Sequence, residues 1–126
     1  SQPMVVSYAS SPAAELIYAE TPLEESPTGS IVADGTCWRQ IEFAGILKGT
    51  PKRALAEKFI DFMLSKPFQE DMPLQMFVFP VLPDAALPEA FMRASAIPAK
   101  PAVLDPLVIA AQRDGWLRAW TDLMLK

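Results

Sequence analysis

The chain has 126 residues, a formal charge of −4, 51% hydrophobic residues, three Trp, seven Phe, two Tyr, one Cys and no His. That length is one domain's worth of chain, able to remove about two thirds of its unfolded surface from water, and the composition excludes intrinsic disorder and a basic nucleic-acid surface. With no His and a single Cys there is no Ser-His-Asp triad, no Cys-His pair, no internal disulfide and no multi-cysteine zinc site.

The N-terminal stretch Ser1 to Val6 lacks the positive n-region and long apolar h-region of a secretory signal, and reads as a cut piece or mature segment that starts inside a strand. Met4 to Tyr8 is a β-branched apolar run stopped by Ala9-Ser10-Ser11-Pro12, which predicts a buried strand ending in a turn. Pro12 to Glu20 follows with Ser11 as N-cap and Pro12 at the first helical position, a short helix that could equally be a strand. Residues 21 to 29 concentrate Pro, Gly and acid and read as an exposed, mobile loop.

A short strand is expected at Ser30 to Ala33 and a turn at Asp34-Gly35. Cys37 to Leu47 then partly alternates, with Ile41 and Phe43 opposite Gln40 and Glu42, and reads as a strand. Cys37 itself reads as a small buried hydrophobe rather than a nucleophile. Thr50 and Pro51 open the best-marked helix, in which Leu55, Phe59, Ile60, Phe62 and Met63 form an apolar stripe. Ser65-Lys66-Pro67 is expected to break it, with one further helical turn through Phe68 to Asp71 that Pro73 ends. Met76 to Val81 carries an internal Pro80, which demotes it to an edge strand or extended segment. The proline-rich residues 82 to 106 read as irregular, with one helical turn around Pro88 to Arg93. Asp105 and Pro106 then open a long amphipathic helix in which Gly115 is the weak point and Trp116 and Trp120 share one face as core. The apolar stretches fall well short of the roughly 20 residues of a membrane span.

Three blocks taken in order, Val5 to Ala13, Gln40 to Thr50 and Ala56 to Gln69, resemble the C-terminal part of the bacterial thiamine-binding proteins of ABC importers. Met72-Pro73-Leu74-Gln75-Met76-Phe77-Val78-Phe79-Pro80-Val81 is similar to that family's aromatic segment, and Ala110 to Trp120 to its closing helix. The resemblance runs through nearly the whole chain, and its collinearity is more specific than any one block.

The resemblance implies an α/β chain forming the C-terminal portion of a two-lobed, type II periplasmic-binding-protein fold, with few strands and a long closing helix. Residues 1–47 would form a ligand-side lobe and hinge return, and residues 48–126 helical segments, the aromatic edge segment and the closing helix. It further implies a protein that is not an enzyme and has no cofactor, that captures thiamine or a thiamine phosphate, and that hands it to an ABC permease in the membrane. The expected location is periplasmic, or extracellular and membrane-anchored.

By the resemblance, the ligand-binding positions are Tyr8, which matches the tyrosine ending the Ser-Tyr strand, and Phe77, which stands where many members have tryptophan. Ala14 replaces a second binding tyrosine, for which Tyr18 is a poorly aligned substitute. Ser10 is a candidate either as a hydrogen-bond donor to ligand or as a helix cap, and Trp38 either as a cleft wall or as packing. A quaternary cation over an aromatic face gains roughly 0.5–2 kcal/mol, so aromatic residues suit thiamine's thiazolium. A solute-binding protein for ferric ion or a phosphonate is the competing class, although the chain has no Tyr-Tyr pair for iron; an enzyme acting on thiamine precursors is a third. Expressed alone, the segment is expected to self-associate through uncovered apolar strand edges and Phe77-Val78-Phe79.

Overall fold

A computed structural model describes residues 3–125; Ser1 and Gln2, at the start of the stretch read for a signal, and Lys126 lie outside the described residues. Five helices follow in chain order: α1 (Ser11–Ile17), α2 (Arg53–Met63), α3 (Lys66–Met76), α4 (Glu89–Ala94) and α5 (Pro106–Met124). Three of them, α1, α3 and α5, start at a chemically recognisable signal. Pro12, Pro67 and Pro106 occupy first-turn positions, where a missing N–H costs nothing. Asp105 accepts the Leu107 N–H at 2.8 Å and so caps α5.

Two helix boundaries depart from the sequence expectation. The helix expected from Thr50 begins at Arg53, because Gly49, at φ +84°, and the two residues after Thr50 form turns; the Thr50 hydroxyl still accepts the Lys52 N–H at 3.3 Å. The break expected at Ser65-Lys66-Pro67 is present, since α2 ends at Met63 and α3 starts at Lys66 with Pro67 in its first turn, but Pro73 sits inside α3 rather than ending it. A proline there withholds the N–H that the carbonyl of residue 69 would otherwise receive. Pro73 is fully buried, so its packing helps offset that loss.

The α/β expectation is not met among the described residues, which contain no β-strand and only one isolated parallel bridge, between Trp38 and Ala102. Met4 to Tyr8, Ser30 to Ala33 and residues 39–47 run without regular secondary structure, apart from a turn that begins near residue 48. The physical reason is pairing. A strand satisfies its backbone N–H and C=O groups only against a neighbour, and these apolar runs find none among the described residues. Val5, Val6 and Phe43 accordingly remain largely exposed.

The packed centre is small. α1 lies against α4, where Ala13 is fully buried and Phe91 is 1% exposed, and Phe91 meets Phe79 edge-on with ring centroids 5.7 Å apart. α2 and α3 meet near their connection, where Phe62 and Phe68 also pair edge-on at 5.4 Å. No residue of α5 is buried, and Trp116 and Trp120 are largely exposed, contrary to the core role read from their spacing. Spacing puts the two rings on one helix face, but it does not supply the surface that covers them.

The chain exposes 10516 Å². A compact monomer of 13.8 kDa exposes roughly 6,600 Å² by the size scaling of folded proteins, so roughly 3,900 Å² more surface is open here.

Candidate functional site

The N-terminal extended run, the 38–44 segment, the end of α2 and the α3 exit surround one broad, open concavity of about 1890 Å³. Its aromatic lining is Tyr8, Trp38, Phe43, Phe68, Phe77 and Phe79, and its charged lining is Glu15, Glu42 and Arg39. Two carboxylates against one guanidinium leave a mildly negative wall, which favours a cation over an anion. All four residues singled out in the sequence, Tyr8, Ser10, Trp38 and Phe77, line this concavity.

Tyr8 ends the extended run immediately before α1. Its carbonyl accepts the Ser11 N–H at 3.0 Å, forming the turn into the helix, while its side chain stays 69% exposed. An aromatic ring anchored at its backbone and bare at its face is suited to stacking.

The segment that leads into Trp38 is tied by three contacts to residues 100–102. The Gly35 N–H donates to the Lys100 carbonyl at 2.9 Å, the Ala102 N–H donates to the Cys37 carbonyl at 2.7 Å, and the Lys100 ammonium meets Asp34 at 2.8 Å. Gly35, at φ +72°, allows the tight turn that starts this staple. The Trp38 side chain is 54% exposed. Cys37 is half-buried, with its Sγ 3.3 Å from the Ile31 carbonyl oxygen.

Phe77 terminates α3 in the left-handed region, φ 54° and ψ 31°, and is the one non-glycine residue among those described with positive φ. Its ring is half-buried and packs on Tyr18, with centroids 5.5 Å apart and planes tilted by 49°. The loosely matched tyrosine of the sequence thus stands against Phe77. Tyr18 does not itself line the concavity.

Ser10 does not serve as the side-chain cap that was one of its two expected roles. It is the N-cap residue of α1, one position before the Ser11 expected there, yet it makes no side-chain cap bond. Its hydroxyl donates instead to the Phe77 carbonyl at 2.6 Å, across 67 positions of chain, and the residue is only 3% exposed.

Gln69 was not legible as a positioning residue. It is 7% exposed; its amide nitrogen donates to the Met63 carbonyl at 2.7 Å, and its amide oxygen accepts the Val81 N–H at 2.8 Å. One side chain therefore ties the end of α2 to the segment that follows Phe79. Periodicity carries no trace of such a contact, since both partners are backbone groups. On the rim, Glu15 accepts hydrogen bonds from Thr28 at 2.8 Å and Ser26 at 3.3 Å, which pin the acidic loop to α1. Among the described residues there is no group of three or more His, Cys, Asp or Glu that could hold a metal ion, and no helix long and apolar enough to cross a membrane.

The chain is similar over most of its length to curated proteins named thiamine-binding periplasmic protein. It is 33% identical over 117 residues to that of Salmonella typhimurium and 29% identical over 117 residues to that of Escherichia coli, in each case over 93% of this chain. It is 32% identical over 122 residues to that of Brucella suis, covering 94% of this chain. The chain spans 34% of the length of each of these relatives. No family model matches the chain, and no solved structure matches it. The resemblance read from the ordered blocks is therefore present across essentially the whole sequence.

Proposed function

We propose that this chain forms part of an extracytoplasmic solute-binding protein that captures thiamine or a thiamine phosphate unchanged and delivers it to an ABC permease. The observation that carries the reading is the similarity across 93% of the chain to proteins named for thiamine binding, joined to a concavity lined by aromatic side chains. Tyr8, Phe77 and Trp38 supply the faces, and Glu15 and Glu42 the negative surroundings that suit a thiazolium cation.

In this reading the concavity is one side of a cleft between two lobes. The apolar segments 4–8 and 39–47 pair with strands elsewhere in the protein, and the surplus exposed surface is where the remaining polypeptide packs. Closure of the second lobe over the ligand gives the permease a distinct shape to recognise.

Equilibrium dialysis of thiamine against the intact polypeptide, followed by chromatography of the recovered ligand, tests the proposal. It predicts saturable uptake of one thiamine per chain and recovery of unaltered thiamine. Absence of saturable uptake refutes the binding assignment, and conversion of the ligand refutes the transport assignment in favour of an enzyme.

A further inference from the structure

We infer that Ser10 is a positioning residue for Phe77, acting on the ligand only through that ring; the inference rests on the thiamine-binding reading above. Four observations converge on it. The Ser10 hydroxyl is buried and gives its proton to the Phe77 carbonyl at 2.6 Å. A serine at a helix N-cap ordinarily accepts from an N–H of the first turn, and Ser10 makes no such bond, so its side chain is committed to Phe77 instead of to its own helix. Phe77 is held in the left-handed region, which a side chain with a Cβ adopts at a cost and which persists only where surrounding structure imposes it. Tyr18 packs on the Phe77 ring, so that side chain is held as well as its backbone.

The consequence is a latch between the start of α1 and the end of α3. The carbonyl that Ser10 engages belongs to the residue whose ring lines the concavity, and Tyr8, two positions before Ser10, lines it too. Bonding the start of one helix to the end of the other holds the two aromatic positions in a fixed relation. A ligand stacked between them then meets walls already ordered, and less of its binding free energy is lost in ordering them. Removing the hydroxyl frees Phe77 to relax out of the left-handed conformation and move its ring.

The test is a double-mutant cycle in the intact polypeptide with thiamine as probe, using Ser10→Ala, Phe77→Gly and both together. Ser10→Ala alone is expected to weaken thiamine affinity about 3- to 10-fold, the range for losing one hydrogen bond. In the Phe77→Gly background the same change is expected to alter affinity less than about twofold, because the ring it positions is gone. An equal loss in both backgrounds overturns the inference, since Ser10 would then touch the ligand directly.

A ligand-free arm separates this from failure of the thiamine reading. Carbon-13 shifts of labelled Phe77 are expected to carry the left-handed signature in the wild type and to lose it in Ser10→Ala; an unchanged signature overturns the inference whether or not thiamine binds. Should Ser10→Ala fail to fold, adding Phe77→Gly is expected to restore folding, because glycine adopts positive φ without the latch. Failure to restore it also counts against the latch.

Discussion

Replacing Gln69 by leucine removes a side chain of similar size whose two polar ends are both engaged inside the protein. The Met63 carbonyl, one of the C-terminal acceptors of α2, loses its donor at 2.7 Å, and the Val81 N–H loses its acceptor at 2.8 Å. Each lost bond is worth about 0.5–1.5 kcal/mol, and each partner left buried without water costs more, so the substitution should destabilise the protein by about 2–4 kcal/mol. Urea denaturation of the intact polypeptide measures this as a lower midpoint at unchanged slope. Gln69→Glu adds a sign test. The carboxylate still accepts from Val81 but opposes the Met63 carbonyl oxygen, whereas the protonated acid can donate to it. The penalty of Gln69→Glu should therefore be smaller near about pH 4 than near about pH 7, each referred to wild type at the same pH. A change below about 0.5 kcal/mol for Gln69→Leu, the range of an ordinary surface substitution, would refute the clamp.

Phe91→Ala empties the space beneath α1 and should cost about 3–5 kcal/mol, read from the denaturation midpoint of the intact polypeptide. Asp105→Ala removes the one observed side-chain cap of α5 and should cost about 1 kcal/mol, with faster amide exchange confined to the first turn of that helix. The 126-residue segment expressed alone should form oligomers that grow with concentration in multi-angle light scattering, because roughly 3,900 Å² of extra surface lies open, within the range of obligate interfaces. A monodisperse monomer of 13.8 kDa would contradict that expectation.

Local chemistry made the helices readable. Asp105-Pro106 and the Ser-Ser-Pro turn are start signals that act over a few residues, and α5 and α1 begin where those signals stand. Elements that need distant partners were read less well. Met4 to Tyr8 and Cys37 to Leu47 have strand composition, but a strand is completed by its neighbour, and none of the described residues provides one beyond the Trp38–Ala102 bridge. Trp116 and Trp120 failed as core residues for the same reason, since burial belongs to a pair of surfaces and spacing describes one. Pro73 failed as a helix end because tertiary packing outweighed local propensity.

In the candidate site, Tyr8 and Phe77 were singled out from the ordered blocks and Trp38 as a cleft wall or packing residue, and the three line one concavity. The supporting contacts were hidden. Ser10 and Phe77 are 67 positions apart and joined through a main-chain carbonyl, a partner that every residue possesses and that leaves no mark on sequence.

Calorimetric titration of thiamine into the intact polypeptide, beside Tyr8→Ala and Tyr8→Phe, tests the central claim most directly. The account predicts one-to-one saturable binding, weakened roughly 2- to 30-fold by Tyr8→Ala, as loss of a cation–π face requires, and changed less than that by Tyr8→Phe, which retains the face. Heat of dilution alone from the wild type, or identical affinity in Tyr8→Ala, would contradict it.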